Sequence, residues 1–354
     1  MCRNTVLYLM FKTGCSKMDA QERGDFSEIP ILDVSALYGD DDGAIRATAA
    51  TLRRYLETIG FLYVTGHPIP RADVEAVREA SKRFFALPEA EKTKLKIDRN
   101  FRGYLPFAGS TIVTSSVATV SKPNQSESIF FMHEVGADDP RALADKPLQG
   151  PNQWPDETAL AGFRQTIERY VQEMGTLARK MVRAIALSLG LPSDSLDGYF
   201  EQPTTFLRLL HYPTQPQEEG LFGSAPHTDY GFITLLAQDN VGGLEVKNKA
   251  GDWVPAPPVP DSFVMNVGDI LARWSNDQFV STPHRVINRS GRERYSQPFF
   301  FDPSMDETIE ALSVCVPAGT QPKYGPVLYG DYLMERIDKN YHYRKKKAAE
   351  AAGA

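Results

Sequence analysis

The chain has 354 residues, 42% of them hydrophobic and 10% aromatic, enough for one large core or two ordinary ones. A net charge of −6 argues against a nucleic-acid partner. Three cysteines (Cys2, Cys15 and Cys315) are too few and too scattered for a disulfide framework or a cysteine-rich zinc site, and they fit a reducing cytoplasm.

The longest early apolar run, Val6 to Phe11, stops at Lys12 and is too short for a secretion signal or a membrane span, so no membrane partner is expected. Residues 1–28 read as a disordered leader, with Met18 a plausible alternative to Met1 as the start. Ile29 to Val34 reads as a short buried strand. Ile45, Ala49, Leu52, Leu56 and Ile59 mark one face of a helix stopped by Gly60. Phe61 to Val64 is a strand, and Pro70 to Leu87 a second helix with Val74, Val77, Phe84 and Phe85 on its apolar side. Residues 100–158 show little periodicity, and a stretch of that length is expected to serve function. The clearest helix is Leu160 to Leu189, closed by Gly190 and Pro192. From Pro203 to Pro303 short apolar stretches alternate with turns, the pattern of a sandwich or barrel. A helical piece over Tyr329 to Asp338 precedes the basic run Arg344 to Lys347, read as a solvated tail.

The chemistry concentrates in three places. His227 and Asp229 stand two apart, which on a strand puts both side chains on one face. His284 follows in Ser281-Thr-Pro-His-Arg-Val286. Two imidazoles and one carboxylate with open positions form the facial triad of non-haem Fe(II) oxygenases, although the ligands alone also fit a zinc hydrolase. Arg294 and Ser296, again two apart, can take an anion through charge-assisted bonds and a hydroxyl. Asp269, after Val267-Gly268, reads as a turn residue between strands.

Taken in order, these motifs resemble one superfamily, the iron- and 2-oxoglutarate-dependent dioxygenases, and within it the isopenicillin N synthase-like group. The resemblance runs through Ile29-Pro-Ile-Leu-Asp33, Gly60 to His67, Leu207-Arg-Leu-Leu-His-Tyr-Pro213, His227 to Leu236, Asn266-Val-Gly-Asp269, Ser281 to Val286 and Pro322 to Tyr332. It implies a mainly β protein with flanking helices around a double-stranded β-helix (jelly-roll) core. Residues 29–200 would form a mixed α/β region packing on the core, 201–303 the core itself, and 304–354 a C-terminal helix and tail, all in one integrated domain.

The resemblance further implies Fe(II) on His227, Asp229 and His284, with the distal carboxylate of 2-oxoglutarate on Arg294 and Ser296, assisted by Tyr212. Dioxygen would then hydroxylate or desaturate a small molecule, with release of succinate and CO2. One departure stands out. Several relatives carry Asn where this chain has Leu210, whose side chain cannot donate to the iron-proximal carboxylate. Phe130, Phe131, His211 and Trp274 are candidate substrate contacts. The alternative is an iron oxidase of the same fold that uses O2 without 2-oxoglutarate. The oligomeric state is left open by the sequence.

Overall fold

A computed structural model describes residues 26–341 and 344, apart from 116, 215 and 217. The expected leader, the Met18 start and most of the basic tail therefore lie outside the described residues. The strands in chain order are β1 Ile31–Asp33, β2 Phe61–Thr65, β3 Gly103–Leu105, β4 Glu127–Met132, β5 Thr204–Tyr212, β6 Ser224–His227, β7 Ile233–Gln238, β8 Leu244–Lys247, β9 Trp253–Pro255, β10 Phe263–Val267, β11 His284–Val286, β12 Arg294–Asp302, β13 Thr308–Ile309 and β14 Val327–Leu328. The α-helices are α1 Asp42–Thr58, α2 Arg71–Phe85, α3 Glu89–Thr93, α4 Pro140–Leu143, α5 Phe163–Ser188, α6 Asp269–Trp274 and α7 Tyr329–Asn340.

Eight strands form one sheet in the order β1-β2-β10-β7-β12-β5-β4-β3, and four form a second in the order β6-β11-β8-β9. β13 and β14 pair as a separate ribbon. The sheets do not close into a barrel. They form the jelly-roll core, and the amino-terminal strands are neighbours of core strands in the same sheet: β2 lies directly beside β10.

The large sheet has two covered faces. On its outer face α1, α2 and α5 pack over the main core. Helix α5 explains itself: Phe163, Ile167, Tyr170, Met174, Leu177, Met181 and Ile185 recur at spacings of three and four and are all buried. Each such side chain contributes about 1.5–3 kcal/mol by leaving water. Gly190 then takes a left-handed φ of +80° just past the helix end, where glycine carries no Cβ penalty. Helix α1 starts at Asp41, whose side chain accepts hydrogen bonds from the Gly43 and Ala44 amides. The inner face meets the small sheet over a second, smaller cluster that includes Phe61, Tyr63, Leu210, Tyr212, Val246 and Val264.

Two parts of the sequence reading need correction. The aperiodic stretch contains β3 and β4, and all six residues of β4 are buried. A strand covered on both faces shows no alternation, so periodicity cannot reveal it. Asp269 is not a plain turn residue. It opens α6, and its carboxylate accepts from the hydroxyls of Ser281 (2.7 Å) and Thr228 (3.2 Å).

Candidate active site

β6 ends at His227 and β11 begins at His284, and the antiparallel register sets the two histidines opposite each other. Their ring centroids are 4.3 Å apart. Asp229 lies beyond the end of β6, in the bend that leads to β7, and not on the strand as its spacing suggests. Three backbone bonds hold that bend to the β10–α6 junction. Asp269 N donates to Asp229 O (2.8 Å), Ile270 N to Gly231 O (3.0 Å) and Gly268 N to Phe232 O (2.9 Å). The approach is so close that a Cβ on Gly268 would stand 2.1 Å from the Gly231 carbonyl oxygen.

The bend brings Asp229 Oδ1 to 3.6 Å from His227 Nε2 and 3.8 Å from His284 Nε2. The rest of each ligand is committed elsewhere. His227 Nδ1 faces the Ala225 carbonyl at 2.8 Å, and His284 Nδ1 faces that of Thr282 at 3.3 Å. Protons at Nδ1 leave both Nε2 lone pairs for an ion. Asp229 Oδ2 accepts from Thr234 Oγ1 (2.6 Å) and Asn266 Nδ2 (2.7 Å), which leaves Oδ1 free. Burial, helped by the charge of His284, pushes His227 down to about 4, so the ring is neutral at physiological pH. Burial works against the Asp229 charge, but the two imidazoles, Thr234 and Asn266 outweigh it and hold the carboxyl below its ordinary range. Two imidazole Nε2 atoms and one carboxylate Oδ1 converging on one point fit a divalent iron. Among the described residues this is the one group of three or more His, Cys, Asp or Glu side chains so placed.

On the inner face of the large sheet, Arg294 pairs in register with Tyr212 and Ser296 with Leu210. Arg294 is fully buried. Its Nε donates to Gly242 O at 2.6 Å, its Cζ stands 4.8 Å from the Tyr212 ring centre, and both terminal nitrogens are buried without a partner. Ser296 Oγ donates to Tyr212 Oη at 3.5 Å. Leu210 faces inward among apolar side chains. Buried guanidinium donors are rarely left unpaired, and an incoming carboxylate would satisfy both.

Beside the triad lies a chamber of about 760 Å3 including its solvent-filled mouth. His227 and Asp229 line it together with Phe130, Phe206, Arg208 and Phe300. Phe130 is thus placed in the chamber. Phe131, His211 and Trp274 lie elsewhere, a correction of their expected role. Phe131 points to the opposite face of β4 and stacks on Trp154, with centroids 4.7 Å apart. Trp274 is buried against Tyr199, Phe200 and Phe232. His211 points outward, with Nδ1 2.8 Å from Glu127 Oε1 and its ring stacked on Tyr295. Glu127 also accepts from Lys92 Nζ (2.7 Å) and Tyr104 Oη (2.5 Å). Burial raises the Glu127 carboxyl, but these three donors bring it down to about 2.

The sequence reading missed Thr234 and Asn266, which orient Asp229, and it missed Asn340 at the roof of the chamber. Asn340 Oδ1 accepts from the amides of Val113 (2.9 Å) and Thr114 (3.3 Å). Its Nδ2 donates to Thr114 Oγ1 (2.8 Å), the Arg336 carbonyl (3.2 Å) and the Tyr230 hydroxyl. One amide thereby joins α7, the 111–114 segment and Tyr230, the residue after Asp229. Asn340→Ala should cost about 2 kcal/mol in urea unfolding, since it removes several part-buried hydrogen bonds. It should also open the 111–114 segment to limited proteolysis. A variant as stable and as protease-resistant as the parent would show that α7 is held by its apolar face alone.

Comparison with known proteins agrees with this geometry. Residues 203–303 match the model of the 2OG-Fe(II) oxygenase superfamily, and residues 29–157 that of the non-haem dioxygenase in morphine synthesis N-terminal region. The chain is 39% identical to the 2-oxoglutarate-Fe(II) type oxidoreductase hxnY of Emericella nidulans, over 92% of this chain and 95% of that protein. It is 35% identical to the homoarginine-6-hydroxylase 2-ODD-233 of Oryza sativa, over 90% and 98%. Among solved structures, a full-length Neurospora crassa protein in complex with alpha-KG and thymine superposes with a TM-score of 0.78, at 31% identity over 89% of this chain and 98% of that one. Identity of this order along almost the whole length of each relative places the chain in the 2-oxoglutarate- and Fe(II)-dependent oxygenase superfamily, whose members work with Fe(II), 2-oxoglutarate and dioxygen.

Proposed function

We propose that this oxygenase holds its iron on His227, Asp229 and His284, and its co-substrate through Arg294, Ser296 and Tyr212. The observation that carries the reading is the pair of unpartnered, buried Arg294 nitrogens on the same inner sheet face as Tyr212 and Ser296. When bound, iron, 2-oxoglutarate and dioxygen supply cleavage of the oxo acid to succinate and CO2, together with hydroxylation or desaturation of a C–H site. The side chains do the positioning. Thr234 and Asn266 aim the Asp229 carboxylate, and the Ala225 and Thr282 carbonyls fix the imidazole tautomers. The apolar second cluster around Leu210 excludes water from the anchor, which strengthens its charge-assisted bonds.

The primary substrate on this reading is a small molecule lodged against Phe130, Phe206 and Phe300. The Neurospora crassa relative of known structure holds thymine in one crystal structure and 5-formyluracil in another, which supports that scale. We read the whole as one integrated domain of the isopenicillin N synthase-like group, since β1 to β4 share a sheet with the core strands. A cytoplasmic setting is supported by the free, buried Cys315. Among the described residues no helix is long and apolar enough to cross a membrane.

The test is anaerobic loading with Fe(II) and 2-oxoglutarate. The expected result is a weak visible metal-to-ligand charge-transfer band, and succinate release once air is admitted. Iron binding without the band or succinate would favour the 2-oxoglutarate-independent oxidase. Failure to bind iron would remove the triad assignment.

A further inference from the structure

Strand β5 projects Phe206, Arg208, Leu210 and Tyr212 to one face, because residues two apart share a side. Tyr212 belongs to the co-substrate anchor. Arg208 stands four residues back, about 13 Å along the strand. It lines the chamber with His227 and Asp229, whereas Tyr212, Arg294 and Ser296 do not. The two arginines therefore serve different spaces.

Among the described residues Arg208 is the one Lys or Arg in the chamber wall. Its Cζ lies 4.7 Å from the centre of the Phe130 ring, and Phe130 is braced in turn by Phe101. Stacking on a ring occupies the face of a guanidinium and leaves its in-plane N–H donors free. Its Nε is buried with no partner, and the side chain makes no ion pair among the described residues. The carboxylates nearby are already engaged. Asp229 is held by Thr234 and Asn266, and Asp302 accepts from Phe232 N (2.6 Å) and Tyr329 Oη (2.8 Å). Asn340 is likewise committed. What remains among the described residues is a single half-buried cation with open donors, set among phenylalanines and aliphatic side chains with the small polar side chains Ser110, Ser224 and Thr228 between them. Leaving such a group unpaired costs free energy, and a ligand anion recovers it.

We propose that Arg208 binds a carboxylate of the primary substrate, so that the enzyme oxidises a small carboxylic acid with an apolar or aromatic body. This rests on reading the chamber as the substrate site, and it deepens that reading. The competing role is specific. With Leu210 unable to donate to the iron-proximal carboxylate of 2-oxoglutarate, Arg208 two residues away would be the replacement donor.

The experiment takes the protein loaded with Fe(II) and 2-oxoglutarate under argon. A panel of small aromatic and aliphatic monocarboxylic acids, each beside its own primary amide, is titrated by calorimetry. The expected result is at least one acid binding tenfold or more tighter than its amide. Arg208→Met should erase that preference by weakening the acid far more than its amide, and Arg208→Lys should keep part of it. Thermal unfolding checks that each variant folds. Affinity for 2-oxoglutarate should stay within twofold throughout. The proposal is overturned if no acid outbinds its amide, or if the preference survives in Arg208→Met. A loss of 2-oxoglutarate affinity in place of acid affinity would assign Arg208 to the co-substrate. Failure of the broader reading shows separately, as a missing charge-transfer band in the parent protein, and calorimetry still reads the acid–amide difference in that case.

Discussion

Asp229→Ala is expected to lose tight iron binding and to cut turnover by a thousandfold or more, which corresponds to about 4 kcal/mol of transition-state stabilisation. The size follows from the donor set. With Oδ1 gone, two imidazoles remain as cross-strand neighbours, and nothing anionic offsets the charge of a divalent ion. A graded companion separates ligation from orientation. Asn266→Ala keeps all three ligands but removes the 2.7 Å bond to Asp229 Oδ2. Loss of such an outer partner costs roughly 10–100-fold in metal affinity, so the variant should still bind iron, more weakly. Anaerobic iron titration with metal analysis reads both proteins. A full equivalent of tightly held iron in Asp229→Ala would sink the triad.

Much of this centre was legible because its chemistry sits in short, ordered motifs. His227, Asp229 and His284 stand out by residue type alone, and Arg294 with Ser296 by spacing. What alternation settles depends on burial. In β5 every residue except Arg208 is buried, and in β4 all are, so hydrophobicity gives no parity. Phe130 and Phe131 were therefore indistinguishable in sequence. The register Phe130↔Arg208 sends the first into the chamber, and the second falls on the helix side by alternation. For His211 the signal was available. If Tyr212 faces inward, its predecessor on a strand faces outward, and the pairing of His211 with Glu127 on β4 is the consequence.

Pro298 illustrates the opposite difficulty. A proline inside a run argues against a central strand, yet β12 is flanked by β5 and β7. The β5–β12 register passes from Ser296↔Leu210 to Phe299↔Leu207, with no pairing at Gln297 and Pro298. The ladder lapses where the proline lacks its N–H, and by register that lapse falls opposite Arg208. Asn340 could not have been found at all. Its partners at 111–114 and at Tyr230 are more than a hundred residues away, and only the folded chain brings them together.

Arg294→Met makes the sharpest separation between a binding anchor and a structural ion. Removing a two-pronged, charge-assisted contact to a carboxylate costs about 3 kcal/mol, so affinity for 2-oxoglutarate should fall by roughly a hundredfold. Arg294→Lys should recover only part, because an ammonium cannot make two parallel bonds. The stability of the ligand-free protein should move the other way or not at all. There the guanidinium is buried with two nitrogens unpaired, and an apolar side chain of similar length relieves that penalty while giving up one bond to Gly242 O. Saturating 2-oxoglutarate should therefore raise the melting temperature of the parent protein, in proportion to RT ln(1 + [L]/Kd), and leave Arg294→Met almost unmoved. A structural ion would show the reverse pattern: a fall in ligand-free stability with co-substrate affinity preserved. Differential scanning fluorimetry across a 2-oxoglutarate series, with the charge-transfer band as the independent reading of Kd, decides between them.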